Sequence, residues 1–150
     1  MNRAIFFGAL LGMLSGCGPT SETTASKATP LTISSSQTGT DGGMYYSFWT
    51  NNQGSCSMTL DGSNGYSLNW SNVGDFTAGK GWNPGSNHTI CYTGSYSNSG
   101  GGGIGIYGWT TNPLIEYYIA DSPGNSGSPG QGTQVGTVTS DGSAYTIWKH

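Results

Sequence analysis

The stretch Ile104-Gly105-Ile106-Tyr107-Gly108-Trp109-Thr110-Thr111-Asn112-Pro113-Leu114-Ile115-Glu116-Tyr117-Tyr118-Ile119-Ala120 contains two β-type runs, residues 104–109 and 114–120. Side chains alternate across a strand, so Glu116 shares a face with Leu114 and Tyr118, and Ile115, Tyr117 and Ile119 take the other side. In the first run Tyr107 and Trp109 share a face, opposite Ile104, Ile106 and Gly108. A carboxylate beside a tyrosine contributes little to a core and is well suited to lining a cleft.

Outward from this stretch the chain repeats the same grammar. Residues 44–50, 55–60, 66–70, 87–96, 134–140 and 144–148 also read as strands. Tyr66-Ser67-Leu68-Asn69-Trp70 alternates apolar and polar residues as a half-buried strand does. Asp61-Gly62, Asn64-Gly65, Asn83-Pro84-Gly85, residues 99–103 and Asp141-Gly142 supply turn chemistry. Apolar spacing of three and four persists nowhere over a helix length. The expectation is an all-β sandwich or barrel of antiparallel sheets.

Composition narrows the partner. Only 7% of the residues are charged, the formal net charge is -3, and nine tyrosines and five tryptophans accompany 27 glycines. With aromatics this abundant the low charge does not read as disorder. No basic patch is present, which argues against nucleic acid. Exposed rings among hydroxyl and amide side chains suit sugars, whose C–H faces stack on aromatics and whose hydroxyls bind polar groups. Carbohydrate is the leading partner class.

The ends and the cysteines have their own reading. Arg3 precedes an apolar run over residues 4–14, too short to span a bilayer as a helix and the length of a signal-peptide core. It ends in Leu14-Ser15-Gly16-Cys17, which resembles a bacterial lipobox, so residues 1–17 are expected to be a leader with Cys17 as lipidation site. The alternative is an ordinary secretory signal, and either one exports the chain. Residues 18–37 read as a Ser/Thr-rich tether. Cys56 and Cys91 are then the pair available for a disulfide. No cluster has metal-ligand spacing, and His88 and His150 read as structural or solvated.

The carboxylates can be sorted by elimination. Glu22 lies in the tether, Asp41, Asp61 and Asp141 each precede a glycine in a turn, and Asp121 is in a loop position. Glu116 and Asp75 remain. A Glu within an apolar strand costs several kcal/mol of desolvation unless paired or functional; the alternative is a surface Glu on an exposed sheet face.

Four blocks carry a resemblance. Asn69-Trp70-Ser71-Asn72-Val73-Gly74-Asp75-Phe76, Gly79-Lys80-Gly81-Trp82-Asn83-Pro84-Gly85, the run from Tyr107 through Pro113-Leu114-Ile115-Glu116-Tyr117-Tyr118, and Gly136-Thr137-Val138-Thr139-Ser140-Asp141-Gly142 resemble the successive signatures of glycoside hydrolase family 11 xylanases. The resemblance covers residues 38–148 in order, and the Pro-Leu-Ile-Glu-Tyr-Tyr segment is highly specific. It implies a β-jelly roll of two curved antiparallel sheets whose concave face binds xylan. It also implies endo-hydrolysis of β-1,4-xylosidic bonds by double displacement, without metal or organic cofactor.

Residue by residue, the resemblance makes Glu116 the nucleophile and Tyr107 and Tyr118 its flanking tyrosines. Trp49 matches the tryptophan that stacks on a glycone sugar. Asp75 matches the partner of the acid/base glutamate, where Asp accompanies acidic pH optima. Two departures accompany it: Ser99-Gly100-Gly101-Gly102-Gly103 replaces an aromatic before the Tyr107 strand, and residues 121–126 lack the family's loop aromatics. The family's acid/base Glu follows a thumb loop. The 150 residues are therefore expected to be the first two-thirds of such a domain, an incomplete and inactive jelly roll over residues 38–150. The expected molecule is a monomer that touches membrane only through a lipid. Rival readings are a non-catalytic carbohydrate-binding sandwich and a β-glucanase of the same clan.

Overall fold

A computed structural model describes residues 4–6, 29–97, 99–122, 132–140 and 142–149. Among these every regular element is a strand: β1 (Ala4–Phe6), β2 (Leu31–Ile33), β3 (Gln37–Asp41), β4 (Met44–Thr50), β5 (Ser55–Leu60), β6 (Tyr66–Ser71), β7 (Phe76–Gly81), β8 (Gly103–Thr111), β9 (Leu114–Ser122), β10 (Thr133–Ser140) and β11 (Ser143–Lys149). The all-β expectation is met.

The strands form a six-stranded sheet in the order β3-β4-β7-β1-β8-β9, a three-stranded sheet β2-β5-β6, and the hairpin β10-β11. All pairings are antiparallel except those of β1, which runs parallel to both β7 and β8. The expectation of two sheets is thus refined to three, because β10 and β11 pair only with each other.

Alternation builds the core. From β4 the even residues Tyr46, Phe48 and Thr50 are buried, and β5 contributes Cys56, Met58 and Leu60. Phe76 and Ala78 of β7, Ile104 of β8 and Ile33 of β2 complete the buried cluster, with Tyr66, Leu68 and Trp70 of β6 packed against it. The core therefore lies between the three-stranded sheet and the β4–β7 half of the larger one. Phe48, Met58, Leu60, Phe76 and Ile104 are its largest fully buried side chains, each contributing about 1.5–3 kcal/mol.

The turns at one rim are tied by a buried cation. The Lys80 ammonium lies 2.5 Å from Asp41 Oδ2 and 3.8 Å from Asp61 Oδ1, and it donates to the Ser63 carbonyl at 2.6 Å. Its side chain is 2% exposed. Asp61 lies in the connection after β5, whereas Asp41, expected in a turn, is the last residue of β3; both hold Lys80. Gly42 between β3 and β4 has φ +59°, and a Cβ there would overlap the Ser63 backbone, so this close approach requires glycine.

Three expectations are corrected. Residues 87–96 form no strand. A strand needs a ladder partner, and this run instead packs its tyrosines on the core, Tyr96 stacking on Trp70 at 6.2 Å between ring centroids. The end of the run read as a tether is structured, because Leu31–Ile33 pairs with β5, Ile33 is buried, and Ser36 exchanges hydrogen bonds with the Thr50 backbone. Cys56 is a free buried thiol, whereas Cys91 is disulfide-bonded, so the two do not pair. The expected lipobox at Cys17 and most of the expected leader lie outside the described residues, and Ala4–Phe6 forms β1.

Candidate active site

The face of β4 opposite the core carries Ser47 and Trp49. Trp49 stays 46% exposed because Phe48 and Thr50 occupy the buried side. Its register partner on β7 is Thr77, and that of Ser47 is Gly79. Asp75 precedes β7 and is fixed by a backbone bond, the Asn51 N–H donating to its carbonyl at 3.0 Å.

The second half of the site comes from the β8–β9 hairpin. Its register places Tyr107 opposite Tyr118 and Trp109 opposite Glu116, so all four share one face, as alternation predicts. Tyr117 points to the other side, where its ring covers Gly108; a Cβ there would overlap it. The Tyr-Gly-Trp order thus leaves room behind the cleft for a ring from the partner strand.

These two halves meet. Ser47, Trp49, Asp75, Thr77, Tyr107, Glu116 and Tyr118 line one cleft of about 330 Å³. Trp49, Asp75, Tyr107, Glu116 and Tyr118, the site residues anticipated from sequence, are therefore all brought together. Ser47 and Thr77 were not anticipated. Ser47 could have been found by counting two residues back from Trp49, whereas Thr77 belongs to a strand that hydrophobic pattern does not reveal.

Hydrogen bonds converge on the carboxylate. The Tyr118 hydroxyl donates to Glu116 Oε1, and Tyr107 is hydrogen-bonded to Glu116 from across the ladder. The Trp109 indole N–H donates to the Tyr107 oxygen at 2.6 Å. Burial holds the Tyr107 phenol above its ordinary range, and the neighbouring Glu116 charge pushes it the same way, while the Trp109 bond opposes them. Tyr107 is thereby kept protonated, as a donor. The rings of Tyr107 and Tyr118 lie 5.0 Å apart at 36°, and Trp109 meets Tyr107 edge-on at 6.2 Å and 83°.

Such a site can present an oriented carboxylate oxygen to an electrophilic carbon above an aromatic floor. Its lining contains two carboxylates and no cation. Trp82 and His88 stack at 3.7 Å and do not line this cleft.

Comparison with known proteins follows the same lines. The family model for Glycosyl hydrolases family 11 matches residues 41–150. The chain is similar to "Endo-1,4-beta-xylanase B" of Penicillium oxalicum, 54% identical over 121 residues, covering 79% of this chain and 39% of that protein. It is 51% identical over 119 residues to "Ethylene-inducing xylanase" of Penicillium digitatum, covering 79% and 55% of the two chains. To "Endo-1,4-beta-xylanase 2" of Rhizopus oryzae it is 47% identical over 118 residues, again covering 79% and 55%. The chain spans about half or less of the length of these relatives.

Proposed function

The chain belongs to glycosyl hydrolases family 11, and on that premise we propose that the full-length protein hydrolyses internal β-1,4 linkages of xylan with retention of configuration. The observation that supports this reading is the Glu116 carboxylate, bonded by two tyrosines in a cleft that also holds Trp49 and Asp75. A nucleophilic carboxylate must be held by hydrogen bonds without being protonated, and phenols are suited to that. Glu116 attacks the anomeric carbon, a glycosyl-enzyme forms, and water resolves it. Trp49 stacks on a sugar of the glycone side.

Protonation of the departing oxygen calls for a second carboxyl group. We assign Asp75 to the hydrogen-bonding partner of that acid/base rather than to the acid itself. The test is xylan hydrolysis by the full-length protein and its Glu116→Gln variant, with mass spectrometry after treatment with a 2-fluoro xylobioside. Expected is a covalent adduct on Glu116 and loss of turnover in the variant. Retained turnover in Glu116→Gln sinks the assignment.

We further propose that the protein is exported as a monomer and anchored by lipid on Cys17. Uptake of labelled palmitate that disappears in Cys17→Ser decides for the lipid; equal membrane association in both proteins decides against it.

A further inference from the structure

The cleft floor carries two hydroxyls that the mechanism does not use. Thr77 is half-buried on β7, directly opposite Trp49 in the ladder. Ser47 lies on the same β4 face as Trp49, and its own ladder partner is Gly79, which adds no side chain. Both hydroxyls line the cleft, and among the described residues neither has a hydrogen-bond partner.

A sugar stacked on an indole turns its C–H face to the ring and its hydroxyls outward along the ring edge. Within a β-1,4-linked xylose chain each internal unit keeps free hydroxyls only at C2 and C3. Strands are spaced about 4.8 Å apart, so the residue facing Trp49 across the ladder lies under that edge. A polar group left unpaired at a binding surface gains most from a ligand that completes its bonding.

We propose that Thr77 is a specificity-determining residue of this cleft, its hydroxyl hydrogen-bonding the C2 or C3 hydroxyl of the sugar that stacks on Trp49. Ser47 faces the same space from the diagonal position. The inference rests on the reading of the cleft as a xylan site. The competing account is that Thr77 is present only because a β-branched residue suits a strand, and valine satisfies that account equally well.

The test is titration of the full-length protein, carrying Glu116→Gln so that the ligand is not cleaved, with linear xylotetraose, followed by tryptophan fluorescence and calorimetry, in that parent and with Trp49→Ala, Thr77→Val or Thr77→Ser added. Trp49→Ala is expected to remove most of the binding. Thr77→Val should weaken it about 3- to 10-fold, as loss of a neutral hydrogen bond does, and Thr77→Ser should restore it. Parent-like affinity in Thr77→Val with binding lost in Trp49→Ala overturns the inference and leaves the cleft reading standing. Parent-like affinity in both, or no binding by the parent, overturns both. Thr77→Ser as weak as Thr77→Val shows that the hydroxyl is not responsible. If Thr77→Val does not fold, xylotetraoses deoxygenated at C2 or C3 of the Trp49-bound ring serve instead, and unchanged affinity of the parent for both refutes the bond.

Discussion

Tyr118 and Glu116 stand two residues apart on one face of β9, and the phenol of the first donates to the carboxylate of the second. Tyr107 reaches the same carboxylate from β8. A hydrogen bond to a charged group contributes about 1.5–3 kcal/mol. Tyr118→Phe and Tyr107→Phe, made in the full-length protein, are therefore each expected to lower kcat/KM on xylan by roughly 10- to 100-fold. Parent-like values in both variants would show that the phenols do not support Glu116 in the proposed nucleophilic role.

The Lys80–Asp41 pair is buried on the lysine side, and breaking it leaves the cation with only the more distant Asp61 carboxylate. Asp41→Asn should cost about 3 kcal/mol of stability, read as a lower urea midpoint at unchanged slope. Adding Lys80→Met should recover much of the loss, since an apolar replacement carries no buried charge. Equal midpoints for parent and Asp41→Asn would mean that water already screens the pair.

Asp61 bears on acid stability. Its burial alone would raise the carboxyl pKa, but hydrogen bonds from the Ser63 backbone and hydroxyl, together with the Lys80 charge, hold it below the ordinary 3.8. The folded state therefore binds its proton less readily than the unfolded chain does. The associated stability is present above pH 3.8 and is lost as pH falls through the lower folded value. Asp61→Asn is expected to be less stable than the parent at neutral pH and to converge with it in strong acid. A constant stability difference between the two across pH 2–7, measured by urea unfolding, would contradict this sign.

Cys56 makes the opposite case. Burial pushes its thiol up from 9.0 to about 11, so the folded state keeps the proton longer. Stability from this group is fully present below pH 9.0 and declines toward about 11. Native protein at pH 8 should leave Cys56 unlabelled by a thiol reagent, denaturant should release the signal, and Cys56→Ser should abolish it. Rapid labelling of Cys56 in the native state would show that the β5 face opens.

Legibility tracked how much each segment's sequence had to say on its own. β4, β5, β6, β8 and β9 alternate clearly, and Pro113 to Tyr118 placed Glu116 and both tyrosines on their correct faces. β7 was missed because Thr77-Ala78-Gly79-Lys80-Gly81 shows no apolar rhythm. Its inward positions are Phe76, a small Ala78 and Lys80, whose charge is neutralised only by turns distant in sequence. Residues 87–96 carry strand-like composition but find no ladder, which no local pattern encodes. Leu31–Ile33 is too short and too enclosed by Ser and Thr to separate from a tether. The cysteines failed for a related reason, since pairing depends on which face each thiol occupies.

The two sides of β4 also set how this protein can change. Tyr46, Phe48 and Thr50 face the core while Ser47 and Trp49 line the cleft, so substitution at residues 47, 49 or 77 alters the cleft lining at positions outside the buried cluster. A single inserted or deleted residue within β4 exchanges the two sides at once, bringing Phe48 into the cleft and Trp49 into the interior. Adaptation along this strand therefore proceeds by replacement and not by change of length.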